Sequence, residues 1–198
     1  MSKNKYSLPF REKFYVEFGG IRRKDSHSWN IISQRYAYDF EIRDEKNSPY
    51  HDDYKVIDNY YSYKHEVLCP CDGVVVEVCN KYEDTKIADK RCIVCDVDDV
   101  RGNHIIIFHG NNEYSMIAHL LKDTIKVEEG NQVKRGEVLA LVGNSGNTNG
   151  PHIHFQVTKG LGDNALGVPI TFKNIVMEKN NRRIIRKYIK HGMHVYNR

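Results

Sequence analysis

His104-Ile105-Ile106-Ile107-Phe108-His109-Gly110-Asn111-Asn112-Glu113-Tyr114-Ser115-Met116-Ile117-Ala118-His119 decides the fold. Two apolar runs, rich in β-branched and aromatic side chains, flank Gly and Asn residues that tolerate positive φ. The pattern predicts two strands joined by a hairpin connection over 109–112. Outward from it, runs of period two recur at 35–42, 73–78, 92–97, 138–142 and 152–158, separated by Gly, Asn and Asp. Lys134-Arg135-Gly136 is a second turn signal. Short connections imply antiparallel pairing, because a parallel pair needs a long crossover and no strong helical segment is there to supply it. The expected class is all-β.

At 198 residues the chain is long enough to bury one core without disulfide staples. Its composition, 40% apolar and 28% charged, excludes a mainly disordered chain. The formal charge of +4 suits an anionic partner but is too small to indicate nucleic acid. Residues 1–18 alternate charge with aromatics and lack the apolar core of a secretory signal, and no later run approaches a membrane span. The expectation is a cytoplasmic protein, or one whose leader has been removed. Cys69, Cys71, Cys79, Cys92 and Cys95 form an odd set, unlike a secreted disulfide framework. Packing thiols are expected there; a zinc site of four thiolates from Cys69, Cys71, Cys92 and Cys95 is the alternative.

Residues 43–64 are polar and tyrosine-rich, with Pro49, and read as a long surface loop of the kind that walls a groove. The division expected is a main unit over 1–176 and a basic extension over 177–198. The latter carries Lys179, Arg182, Arg183, Arg186, Lys187 and Lys190 with Ile184, Ile185, Tyr188 and Ile189 interleaved, as an amphipathic helix or an added strand. A solvated face is its plainer reading, and contact with an anionic polymer the functional one.

The sharpest chemical signal is Gly150-Pro151-His152-Ile153-His154-Phe155. Side chains two apart in a strand share a face, so both imidazoles can converge on one metal, or one can bind it while the other reaches its water. His-x-His alone is weak, since paired surface histidines are common. His119 ends an apolar run and on its own reads as a satisfied core or edge residue. Asp39 sits in Gln34-Arg35-Tyr36-Ala37-Tyr38-Asp39-Phe40, where an unpaired carboxylate would be expensive to bury, so it needs a cation, an Arg or a metal.

In their order along the chain these pieces resemble the M23 metallopeptidase family, of the lysostaphin type, over 18–157. The densest resemblance is the run from Val127-Glu128-Glu129-Gly130-Asn131 through Gly143-Asn144-Ser145-Gly146-Asn147-Thr148-Asn149 to His152-Ile153-His154. Val67-Leu68-Cys69-Pro70-Cys71-Asp72-Gly73 and Gly102-Asn103-His104-Ile105 add to it. The resemblance implies a twisted antiparallel sheet with a smaller sheet, of the duplicated hybrid motif type, and long loops around a groove. It implies one Zn2+ with Asp39 and His154 as ligands, His152 as the base and His119 as the oxyanion stabiliser. In the commoner family pattern a His stands four residues before the Asp, where this chain has Arg35, which cannot ligate zinc. Phe18-Gly19-Gly20 followed by Ser26-His27-Ser28-Trp29-Asn30 looks like a branch with the first ligand further upstream, making His27 that ligand and Asn30 a poorer substitute. Gln156 stands where relatives often carry Glu, and His51, in the polar loop, is a further residue that could reach the groove.

The activity implied is hydrolysis of peptide bonds in bacterial peptidoglycan, an extracytoplasmic substrate. Two other classes stand beside it: a degenerate module of the same fold that binds wall peptides or a partner enzyme, and a basic nucleic-acid binder, for which no motif is present. The expected partners are peptidoglycan peptides, with neither membrane nor nucleic acid.

Overall fold

The computed structural model describes residues 1–87 and 97–198. Within them the runs of period two become strands: β1 (Phe14–Phe18), β2 (Tyr38–Glu41), β3 (Glu66–Leu68), β4 (Gly73–Cys79), β5 (His104–Phe108), β6 (Glu113–Ala118), β7 (Gln132–Val133), β8 (Val138–Leu141), β9 (Ile153–Lys159), β10 (Leu166–Gly167), β11 (Ile175–Lys179), β12 (Arg182–Ile184) and β13 (His194–Asn197). Helical structure among these residues is limited to three-residue turns, none long and apolar enough to cross a membrane. The run expected at 92–97 lies, up to residue 96, outside the described residues. So do Cys92 and Cys95, and with them the four-thiolate site.

The hairpin forms as its sequence dictates. Gly110, Asn111 and Asn112 take φ of 74°, 54° and 57°, which only Gly and Asn adopt readily, and β5 and β6 pair antiparallel with Ile105 opposite Ile117. The main sheet runs β12-β11-β13-β1-β2-β9-β6-β5-β4-β7, with β10 on β9, and every named pair is antiparallel. β3 and β8 make the smaller sheet. One core cluster includes Phe10, Phe14, Phe40, Ile105, Ile107, Ile117, Leu139 and Phe155, all fully buried. The observed class is therefore all-β, with a large antiparallel sheet and a small second one.

β9 occupies the decisive place. Its neighbours are β2, which sets Asp39 opposite His154, and β6, which sets Ala118 opposite the same residue. Cross-strand partners lie about 5 Å apart, so register alone brings a carboxylate and an imidazole from residues 115 apart into contact.

The ends of the chain are built into the same sheet. Buried Glu113 accepts bonds from the backbone N–H of Lys3, that of Asn4 at 3.0 Å and the hydroxyl of Tyr6 at 3.1 Å, which pins the first residues beside β6. The basic stretch is strand, not helix: β11 and β12 form a hairpin, and β13 pairs with β1 with Phe14 opposite Val195. The boundary expected after residue 176 falls inside β11, whose Met177 is buried, because apolar side chains at period two continue the sheet past it. Residues 43–64 remain an irregular loop, tied by a Tyr50–Tyr60 bridge and a turn at Ile57–Asn59.

Candidate metal centre

Three side chains converge at the β2–β9 pair. His27 Nδ1 lies 3.0 Å from Asp39 Oδ2, and His154 Nδ1 lies 2.9 Å from Asp39 Oδ1. One ligand atom from each residue falls within 4.8 Å of the others. Asp39 and His154 are buried and arrive by strand register, whereas His27 comes from the loop that leaves β1 through Gly19 and Gly20. Both glycines have positive φ, and a Cβ on Gly19 would sit 2.1 Å from the Tyr38 ring, so no larger residue fits. Asp25, buried and bonded to Arg22 at 2.8 Å, closes the turn, and its carbonyl accepts from the Gly19 N–H. Arg35 is elsewhere: it donates to the Trp29 carbonyl at 3.0 Å and lies over the Trp29 ring. The nitrogen that meets Asp39 from this loop is that of His27.

His154 Nε2 lies 3.0 Å from Gln156 Oε1. Its Nδ1 faces the carboxylate, so without a metal an Nδ1–H donates to Asp39, and with the proton on Nε2 the Nδ1 lone pair would be free to ligate an ion. At 2.9 Å either a proton or a metal ion can occupy the space between this nitrogen and the carboxylate oxygen. Two imidazole nitrogens and one carboxylate oxygen are a donor set suited to a zinc ion that keeps a position open. Burial by itself would push the Asp39 carboxyl up, but hydrogen bonds from His154 and His27 and the nearby His152 hold it well below the usual carboxylate range. For His27, burial works against a charge on the ring, and the bond to Asp39 outweighs it and raises the pKa.

His119 and His152 stand beside this set, their rings 4.8 Å apart, with His119 also 5.8 Å from His154. His119 follows β6 in a left-handed conformation, φ 65°, an uncommon one for a non-glycine residue. It is held there by its N–H to the Arg101 carbonyl and by the Gly143 N–H to its own carbonyl. Its Nδ1 donates to the Ser145 carbonyl at 2.8 Å, and His152 Nδ1 donates to the Gly150 carbonyl at 2.8 Å. Carbonyls only accept, so in their neutral forms both rings have a bare Nε2. Burial depresses both pKa values, and the neighbouring His152 and His154 depress that of His119 further. The bare Nε2 is where each ring can accept a proton, and burial keeps both rings neutral until one arrives.

Sequence reading could not find Ser145, Gly150 or Arg101, because each acts through a backbone carbonyl. Four of the six remaining histidines are tied elsewhere: His104 to Glu77, His109 to Ser115, His65 near Glu12, and His51 against the Tyr61 ring. Two hollows border the cluster. One, of about 220 Å³, includes His27, Ser28, Ile31, Met116, His119 and His154 in its lining. The other, of about 280 Å³, includes Asp39, His152, Glu41, Arg43, Tyr50 and Tyr60.

Glu41 in the second hollow is pushed up to about 7, by burial first, although Arg43 opposes the shift. A raised carboxyl stabilises the fold below its unfolded pKa, near 4.5, and that contribution is lost as the pH rises to about 7. Glu41→Gln in the metal-free protein is therefore expected to gain stability relative to wild type across that window, by about 1–3 kcal/mol at pH 7 in urea melts at both ends.

Residues 53–165 match the sequence model described as Peptidase family M23. The chain belongs to this family. His119, His152 and His154 of the M23 chain lie inside the matched span, and His27 and Asp39 lie upstream of it. Peptidoglycan DD-endopeptidase ShyA of Vibrio cholerae serotype O1 is 36% identical over 87 residues, 43% of this chain and 20% of that protein. Murein hydrolase activator EnvC of Escherichia coli K12 is 30% identical over 87 residues, 44% of this chain and 20% of that one. The alignments thus cover about a fifth of these relatives' length. Among solved structures, the catalytic domain of the prophage-encoded M23 protein EnpA of Enterococcus faecalis aligns with TM-score 0.49 and 18% identity, over 82% of this chain and 92% of that one.

Proposed function

We propose that this chain is a zinc-dependent endopeptidase that hydrolyses peptide bonds of bacterial peptidoglycan. One observation carries the reading: two imidazole nitrogens close on a single buried carboxylate, beside two further histidines with bare Nε2 atoms. His27, Asp39 and His154 would hold the ion. Zinc held there would supply Lewis-acid polarisation of the scissile carbonyl and a water of pKa about 7. His152 accepts the proton released in the attack, its ring fixed by Gly150 and by Thr148 Oγ1 at 3.2 Å. His119, aimed by its Nδ1 bond to Ser145, is the oxyanion stabiliser: it takes up a proton from solvent at Nε2 as negative charge develops beside it, and that charge offsets the burial that otherwise keeps the ring neutral. The substrate class rests on the peptidoglycan endopeptidase named among the relatives. Peptidoglycan lies outside the cytoplasmic membrane, and the reading puts the working protein there.

A second reading is a module that binds wall peptides or an enzyme partner without cleaving. It is favoured by the relative named as an activator and by Arg35, which stands at the commoner ligand position. Purified peptidoglycan incubated with the protein separates the two. The peptidase is expected to carry one zinc per chain and to release new amino termini, with release stopped by a chelator and restored by zinc. Tight binding to the polymer with no new termini would overturn the peptidase and establish the module.

A further inference from the structure

His27 is the ligand that strand register does not place. It lies on a loop, its side chain is 35% exposed, and Asp39 is its ion-pair partner. Its ring packs edge-on against Phe18 at 5.1 Å, and Phe18 is also the β1 residue paired with Asp39. On Phe18 lies a second ring, His191, near-parallel at 6.3 Å. His191 is anchored to the backbone at the root of the same loop: its N–H donates to the Gly19 carbonyl at 2.9 Å, and its Nδ1 donates to the Glu17 carbonyl. The strip 189–193 runs along 16–19 as a continuation of the β1–β13 ladder. Gly192 N–H bonds to the Val16 carbonyl at 3.0 Å, Val16 N–H to the Met193 carbonyl at 2.8 Å, and Tyr38 hydroxyl to the Ile189 carbonyl at 3.1 Å. Ile189 and Met193 are fully buried, so the strip is fixed to the core.

We propose that this C-terminal strip is a brace for the metal centre, in which Phe18 and His191 are positioning residues that hold the His27 ring toward Asp39. The inference rests on the metal-centre reading above and adds to it a requirement from beyond the family-matched span, which ends at residue 165. A ligand on an unsupported loop must lose its freedom when it binds the ion; a ring already wedged between Asp39 and Phe18 has lost it in advance. The brace acts on affinity and coordination, since Asp39 and His154 remain in register without it.

Zinc affinity of the full chain, measured by competition with a chromophoric chelator, tests the brace together with the visible spectrum of the cobalt-loaded protein. Phe18→Ala and His191→Ala are each expected to weaken zinc binding by about 10–100-fold, the scale of losing support to a metal ligand. Both should alter the cobalt bands at saturation, while the urea midpoint of the metal-free protein stays near wild type. Phe18 is 38% exposed, so its truncation leaves the core intact, and Phe18→Tyr, which keeps the ring, is expected to restore wild-type affinity. A wild type that binds one zinc, with Phe18→Ala and His191→Ala binding within twofold of it and giving the same cobalt spectrum, overturns the brace alone. A wild type that takes up no zinc overturns the brace and the metal centre together.

Discussion

Asp39→Ala is expected to empty the metal centre and take peptide-bond cleavage to background. Both Nδ1 atoms of the set point at this one carboxylate, at 3.0 and 2.9 Å, so its loss removes the oxygen ligand and the anchor that orients the two rings. Zinc binding in peptide sites is worth about 10–16 kcal/mol over four ligands. One ligand is then worth about 3 kcal/mol, a weakening of about 100-fold in Kd before the misorientation of the histidines is added. His154→Ala should behave alike, and His27→Ala should lose zinc by the single-ligand amount. Metal analysis after gel filtration, with the same cleavage assay, reads all three. Zinc retained at one per chain in Asp39→Ala would overturn the assignment. A separate effect is expected without metal: because Asp39 is held well below its ordinary value, it stabilises the fold above about pH 3.9, and that contribution fades as the pH falls further.

His152→Ala and His119→Ala are expected to separate chemistry from metal. Neither ring belongs to the three-residue set, and each is oriented by a backbone carbonyl, of Gly150 and Ser145 respectively. Both variants should keep one zinc while turnover falls by about 10²–10⁴-fold, the range for removal of a positioned acid or base. The double variant should lose little more than the worse single one if the two histidines handle the same proton, because residues acting as a unit are not additive. A variant with full metal content and undiminished turnover would remove that histidine from the reaction.

Much of this arrangement was legible in the residues, and the reason is periodicity. Alternation marked β5, β6, β8 and β9 within a residue or two, and the Gly-Asn connection at 109–112 was specified by its own φ requirement. His152 and His154 could be placed on one face because side chains two apart in a strand must be. Periodicity says nothing about which strand lies beside which. Thus Asp39 was singled out for the expense of burying it, but its pairing with His154 came from the order β2-β9-β6, a property of the folded sheet. His27 was suggested by a resemblance, and only the structure shows the Gly19–Tyr38 contact that turns its loop back on β2. Phe18 and His191 were illegible for the same reason as Ser145. A ring against a ring, or a carbonyl facing an imidazole, leaves no mark in a one-dimensional pattern when the partners are 173 or 26 positions apart. The basic stretch left helix and added strand both open, since its charges mask the alternation of Ile175, Met177, Ile184 and Val195, which makes it part of the sheet.

Because β13 closes on β1, the first and last portions of the polypeptide are neighbours across the scaffold that carries His27. Transplanting this chemistry into another protein would therefore mean moving both termini along with the histidine-rich middle. A trimmed version cut back to the middle alone would inherit the reactive imidazoles without the ground they stand on.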